Sequence, residues 1–392
     1  MKISNRKIVT AVFSIFVMVC VLFPADFHHL KQISFFVVIV AGMKKLLRGF
    51  PQRKYQFVYF MGIIFPVCTI VQSILRGSTP GGAVSGGYTA ILFLLLVIIR
   101  EYDINYEKLI IFALKIIAFA TIFIVLLDVV HIIDVNADTA IRRFMYGYGI
   151  GLMGKSPAYS TYYKVFIKTS PLLLILLNYS IDNKKKVITF ITIVAMFLSG
   201  TRANLFVMLV FLVFKIFTLN SDKLQGKLGK VFLIFAILIG GVAGIEIIIN
   251  ILYKIMNTTG SIDSDTVRMG QIKGMLEVFD DPVRIIFGAG YGNNILFDYG
   301  RNTYVTDFEL AYFSLFAKIG LFWFGIFIIF LCVPFFKKIK MDYKVMYLGY
   351  LAIAFTNPLL YSSTAFLLYI YMYNMVLENK VRGECKWKIK QN

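Results

Sequence analysis

The chain has 392 residues, of which 59% are hydrophobic and 16% charged, against roughly 45–50% and about 25% in a soluble domain; its mean hydropathy is +0.76. That balance excludes a soluble enzyme, because no soluble fold of this length covers so much apolar surface, whereas lipid leaves apolar side chains needing no cover. The net charge of +20, from 41 Lys+Arg and 21 Asp+Glu, would fit a nucleic-acid binder, but the basic residues sit between apolar runs and mostly on alternate sides, which is the positive-inside bias of a membrane protein.

Residues 1–7 are basic and precede an apolar run over 8–24. No small-residue cleavage site follows, so the run is read as an uncleaved first helix rather than a signal peptide. Further spans are predicted over 32–47, 55–75, 86–100, 107–130, 159–179, 186–199, 203–219, 230–252, 309–334, 345–360 and 362–378, about twelve in all by the ~20-residue criterion. The stretch 77–87 is Gly-rich with Pro80 and reads as a turn. Residues 199–204, between two apolar runs, read as a tight helical hairpin near one membrane face. Lys44, Lys45, Arg48, Arg53 and Lys54, then Lys184 to Lys186, Lys223 to Lys230, Lys337 to Lys344 and both termini fall on one side only if the count of spans is even. Both termini are therefore expected in the cytoplasm. The other face carries two loops of substance, 131–158 and 253–308. With no repeat and no linker, residues 1–392 are expected to form a single, all-α, polytopic membrane domain.

Cys20, Cys68, Cys332 and Cys385 show no CxxC or paired spacing, and His28, His29 and His131 are scattered, so neither a disulfide framework nor a metal site is indicated. Gly288-x-Gly290-x-Gly292 lacks the third glycine and the strand–helix setting of a dinucleotide fingerprint and reads as a tight turn. The chemistry-bearing residues are instead the basic ones on the outer face, which break the positive-inside bias. They include Arg142, Arg143, Lys155, Arg202, Arg268, Lys273, Arg284 and Arg301. As a group they suit an anion such as a phosphate or diphosphate, which arginine grips with a two-pronged fork. Arg202, in Ser199-Gly200-Thr201-Arg202, is either functional, as an intramembrane charge is by default, or a snorkelling interfacial residue. Arg268 follows the cap-like Asp263 to Asp265 and shares a helical face with Ile272 and Met275, either turned into protein or on an interfacial helix. Lys164 and Lys168, four apart on one predicted helical face, either line a cavity facing the same anion, or pair with Glu246 or snorkel to the interface. Glu309 is either a general base at the outer end of a span or, with Thr306, a capping box.

These residues resemble the bacterial O-antigen polymerase and ligase families. Ser199-Gly200-Thr201-Arg202 is similar to their S-G-[ST]-R element, the segment from Arg268 to Gly290 is similar to their large periplasmic loop, and Glu309-x-x-Tyr312 with Gly320 and Gly325 resembles the segment leaving that loop. Arg143 and Gly154 match the R-x10-G pattern of polymerase loops; a second such pattern is absent, since Arg268 leads to Phe279. Ligases carry a His where Glu309 stands, so the resemblance is nearer to a Wzy-type polymerase, with a ligase and a lipid-linked oligosaccharide flippase as the alternatives. The resemblance implies a C-type glycosyltransferase-like fold with short helices in the large loop. It implies an enzyme of the bacterial inner membrane that joins undecaprenyl-diphosphate-linked repeat units into O-antigen or capsular polysaccharide, with lipid diphosphate as leaving group and no nucleotide, metal or other cofactor. The donor and acceptor glycans and membrane lipids are its implied partners, with a chain-length regulator and a flippase beside them. Arg202 and Glu309 are the expected catalytic residues; Arg143, Arg268, Tyr312, Lys164 and Lys168 are expected to hold diphosphate or glycan.

Overall fold

The computed structural model describes residues 5–25, 29–155, 163–218, 264–292, 296–299, 302–305, 307–355 and 357–389. Helix dominates, and the sheet among the described residues is two short antiparallel hairpins. In chain order the elements are α1 (Asn5–Leu22), α2 (Leu30–Gly49), α3 (Arg53–Leu75), α4 (Pro80–Glu101), α5 (Tyr106–Val129), α6 (Ala140–Gly147), β1 (Gly151–Lys155), β2 (Tyr163–Ile167), α7 (Ser170–Asp182), α8 (Lys186–Leu198) and α9 (Arg202–Thr218). Then come α10 (Ser264–Val278), α11 (Pro282–Phe287), β3 (Leu296–Asp298), β4 (Thr303–Val305), α12 (Ala311–Phe336), α13 (Met341–Ile353) and α14 (Ser363–Ile389).

Five of these helices, α1, α3, α4, α5 and α12, are long and apolar enough to cross a membrane. The protein is a membrane-embedded helical bundle. The helix α2 has the length but carries Lys31 near one end and Lys44, Lys45 and Arg48 near the other; α7 and α8 are apolar but shorter. The predicted span 230–252 and Glu246 lie outside the described residues.

Three local readings are corrected. The predicted span over 159–179 is a strand followed by a helix: Tyr163–Ile167 pairs with Gly151–Lys155, and α7 starts at Ser170. A short apolar run rich in aromatic and β-branched residues fits either state, and pairing decides it. The glycine-rich stretch 77–87 is mostly helix, with Pro80 at its first position and the Thr79 hydroxyl accepting from the Gly82 N–H at 3.2 Å; proline and the cap start it despite the glycines. Lys164 and Lys168 do not share a helical face, because Lys164 is in β2 and Lys168 is just past its end. Their even spacing still keeps them on one side of an extended chain.

Contacts between helix ends fall into two sets. At one rim Glu101 accepts from Tyr55 at 3.0 Å and meets Lys54 and Lys45 at 3.4 and 3.8 Å, Arg6 pairs with Asp103 at 2.8 Å, and Lys215 pairs with Asp182 and Asp342 at 2.6 and 2.7 Å. Lys215 is buried, so this triad pins the ends of α7, α9 and α13 together. At the other rim the Thr169 hydroxyl donates to the Val21 carbonyl at 3.0 Å, Lys31 reaches Ser363 at 3.0 Å, and the Tyr361 hydroxyl donates to the Gly87 carbonyl at 2.8 Å. Between the rims the bundle is held by close packing, the main source of helix association where lipid removes the hydrophobic drive. Gly349 lies where a Cβ would come within 2.6 Å of Val207, which brings α13 tightly onto α9, and Phe330 stacks on Tyr373 at 5.1 Å.

The helix α12 is broken at Gly320, whose φ and ψ are 74° and 172°. Its interrupted ladder is completed from outside: the N–H groups of Ala289 and Gly290 donate to the carbonyls of Ala317 and Lys318 at 2.8 and 2.9 Å. Gly288, at φ 74° and ψ 177°, fits into the break, and a Cβ on either glycine would overlap the other's backbone. The predicted glycine turn 288–292 is thus a plug, with Gly288, Gly290 and Gly292 all at positive φ. It is also tied to α3: Gln72 donates to the Phe287 carbonyl, and the Ser73 hydroxyl accepts from the Tyr291 N–H at 2.9 Å.

Candidate functional site

The hairpin between α8 and α9 carries Arg202. Ser199 closes α8 and is fully buried, its hydroxyl donating to the Met196 carbonyl at 2.7 Å. Asn204, also fully buried, donates to that hydroxyl at 3.1 Å across the turn. Gly200 makes the reversal at φ 66°, and its Cα faces β2 so closely that a Cβ would come within 2.7 Å of the Lys164 Cα and the Tyr163 carbonyl. The turn that aims Arg202 therefore abuts the strand that carries Lys164. Arg202 opens α9, where unpaired N–H groups and the helix dipole favour an anion. Its side chain is exposed. Beside it the Thr201 hydroxyl and the Asn204 amide oxygen are buried with no partner among the described residues.

Lys164 is exposed on β2, in register with Gly154. The Lys168 backbone N–H donates to the Ile150 carbonyl at 3.0 Å, continuing the pairing beyond β2. Its ammonium lies against Gly149, where a Cβ would be 3.5 Å away, and partial loss of water there lowers its pKa from the ordinary 10.5. Behind the strand the Tyr163 hydroxyl donates to the buried Asp128 carboxylate at 2.5 Å, and the same carboxylate accepts from the Val135 N–H at 2.9 Å. The hairpin is thereby anchored to the end of α5.

Other basic residues of the outer face have local contacts, some with a carboxylate and some with a carbonyl or a ring. Arg143, exposed on α6, lies 3.7 Å from Asp138; Arg284 lies 3.5 Å from Asp281; Lys318 pairs with Asp307. Arg142 donates to the Asn136 carbonyl and lies over the Tyr146 ring, and Lys273 lies over Tyr299. Arg268 is in α10, and its side chain, that of Lys155 and all of Arg301 lie outside the described residues. Arg202, Lys164 and Lys168 have no carboxylate within ion-pair distance among the described residues, and the fold sets the first two on abutting elements, with Lys168 just past the end of the same strand.

Half of the expected capping box, Thr306, falls outside the described residues, and Glu309 stands ahead of the helix. The helix begins at Ala311 with Leu310 at the cap position and no side-chain cap, so Glu309 precedes it instead of standing in its first turn. Glu309 is half-buried, and its backbone N–H donates to the Gln271 side-chain oxygen at 3.0 Å, while the Gln271 amide donates to Asp298 at 2.9 Å. Gln271 and Asp298 are both fully buried. This latch, which joins α10, β3 and the start of α12, has no sequence signal, because its three members are brought together only by the folded loop. Tyr312 donates its hydroxyl to the Leu351 carbonyl at 3.1 Å and packs on Phe355 at 5.6 Å. It ties α12 to the end of α13, the helix packed on α9, so the Glu309 and Arg202 ends lie at the same rim.

The lowered pKa of Lys168 gives a testable sign. An anion held by Lys168 loses that partner as the amine deprotonates, so the alkaline decline in anion binding is expected to start below the range of an ordinary lysine. Lys168→Arg, which stays charged, is expected to move that decline upward; an unmoved profile would remove Lys168 from the binding surface. For stability, charging costs more in the fold, so Lys168 weighs against folding at neutral pH, and that cost fades as pH rises from its lowered pKa to the ordinary 10.5.

A scan against protein-family models finds none that matches the chain, and a search of curated proteins finds no match.

Proposed function

We propose that the chain polymerises undecaprenyl-diphosphate-linked oligosaccharide repeat units into O-antigen or capsular polysaccharide on the periplasmic face of the bacterial inner membrane. The observation that carries this reading is Arg202 at the start of α9 and Lys164 on the strand its turn abuts, both without carboxylate partners among the described residues, with Lys168 four positions further along the same chain. Such a group suits a diphosphate at headgroup level. About twelve spans with both termini cytoplasmic is the topology we favour, supported by the alternating basic connections and by the two sets of helix-end contacts.

In this reaction the hydroxyl oxygen of the acceptor sugar attacks the anomeric carbon of the donor glycan. The bond from that carbon to the diphosphate breaks, and its electron pair leaves with the lipid diphosphate. Arg202, with the two lysines, stabilises the charge that builds there. Glu309 accepts the hydroxyl proton. Arg143 and Arg268 are further diphosphate or glycan contacts in this scheme, although Arg143 already has Asp138 beside it. The enzyme needs no nucleotide, because the bond to diphosphate supplies the driving force.

A ligase is the second reading, disfavoured by Glu309 standing where ligases carry a His. A flippase draws support from the break in α12, since discontinuous helices hold the substrate in many transporters. Here, however, carbonyls at the break are taken up by Ala289 and Gly290, which leaves fewer free helix ends for a ligand.

Purified protein supplied with its native lipid-linked repeat units and no nucleotide is expected to give a ladder of polymers on a gel. Glu309→Gln is expected to slow it by about 10²- to 10⁴-fold, the range for removing a general base. No ladder from folded wild-type protein would overturn the polymerase reading and direct the next assay to flipping in proteoliposomes.

A further inference from the structure

A groove of about 500 Å³ runs along the bundle surface between α3 and α12. Its walls are the exposed Val67, Val71, Leu75 and Phe322, with Trp323 beneath. Arg76 and Phe287 stand at one end. Midway, the polar Gln72 is fully engaged: its amide donates to the carbonyls of Phe287 and Ile319, and its oxygen accepts from the Trp323 indole at 2.9 Å. Arg76 differs. It contacts the Val283 carbonyl at 3.4 Å and lies 6.0 Å from the Phe287 ring, and no carboxylate lies within ion-pair distance among the described residues. The groove therefore offers an apolar trough ending in one cation with donors to spare. The nine steps from Val67 to Arg76 (76 − 67) rise ~14 Å, roughly half of a ~30 Å hydrocarbon core, so the trough matches one leaflet with the cation at headgroup level.

We propose that this groove seats one anionic phospholipid of the surrounding bilayer, its phosphate on Arg76 and one acyl chain along residues 67–75. Charge selects the occupant. A single guanidinium matches the single negative charge of a phosphodiester; a prenyl diphosphate carries more charge than this end of the groove meets, and a zwitterionic headgroup brings its own cation. The seat lies against the Gln72–Phe287 tie, so an occupied groove clamps α3 to the plug in α12. This inference is independent of the reaction proposed for the Arg202 face.

The test uses the full-length protein, delipidated in detergent, with phosphatidylglycerol or phosphatidylcholine added back. Native mass spectrometry is expected to show one phosphatidylglycerol retained in preference to phosphatidylcholine, and the thermal midpoint is expected to rise with it. Arg76→Gln is expected to weaken that binding by about tenfold, the scale of one charge-assisted hydrogen bond. Val71→Trp, which fills the trough, is expected to abolish retention of either lipid. Should Arg76→Gln fail to fold, the headgroup preference of wild type and the Val71→Trp result still decide. Equal retention of both lipids, retention unchanged in both variants, or displacement by undecaprenyl diphosphate at equal concentration would overturn the proposal, the last in favour of a substrate-side occupant.

Discussion

Arg202→Ala is expected to cut the initial rate of ladder formation by about a hundredfold or more, the cost of removing one preorganised donor from a developing anion, while the protein elutes and unfolds like wild type. The two halves of that expectation have separate grounds. Rate depends on Arg202 because its side chain is exposed at the start of α9, after a turn that abuts Lys164, without a carboxylate partner among the described residues. Folding does not depend on it because the turn is held by Ser199, Gly200 and Asn204, whose contacts are with one another, with Met196 and with β2. Arg202→Lys keeps the charge and loses the fork, so an intermediate rate is expected. Unchanged yield and chain-length distribution in Arg202→Ala would remove the residue from the mechanism.

Gly320→Ala and Gly288→Ala are each expected to destabilise the bundle by roughly 2–6 kcal/mol: ~1–3 for a backbone region open essentially to glycine alone and ~1–3 for forcing two backbones apart. Both glycines sit in that region, and each would drive a Cβ into the other's chain. Gly325, in the same helix, has no atom within 4 Å of the position a Cβ would take. Gly325→Ala is therefore a matched control, expected to leave the midpoint unchanged or slightly raised by better helix propensity. Thermal unfolding in detergent reads all three; equal midpoints for Gly320→Ala and Gly325→Ala would contradict the plugged-helix account.

Much of the helical frame is legible in the apolar runs, since a run over 107–130 or 309–334 has few other fates. The failures share a cause. Residues 163–167 read as part of a span because local hydropathy does not register the pairing of Gly154 with Lys164. The stretch 77–87 read as a turn because its glycines break helices in isolation, yet Gly82 and Gly86 are where Gly292 and Tyr291 press against α4. The spacing of Thr306 and Glu309 suggests a helix start near 306, whereas the helix starts at Ala311. At the site, the charge at Arg202 was conspicuous on its own. What sequence could not separate was a matched cation from an unmatched one: Arg143 and Lys168 look alike until Asp138 is found beside only the first.

The plug in α12 also imposes an order of assembly. Gln72 finds the Phe287 carbonyl 215 positions later in the chain, and Ser73 finds Tyr291 218 positions later. At about 5–20 residues per second a ribosome needs roughly ten to forty seconds to reach that stretch. During that interval α3 stands in the bilayer with its polar end unmet, and the break in α12 has not yet been made. The early helices therefore enter the membrane as an incomplete shell, and it is the plug and α12, made late in synthesis, that lock it.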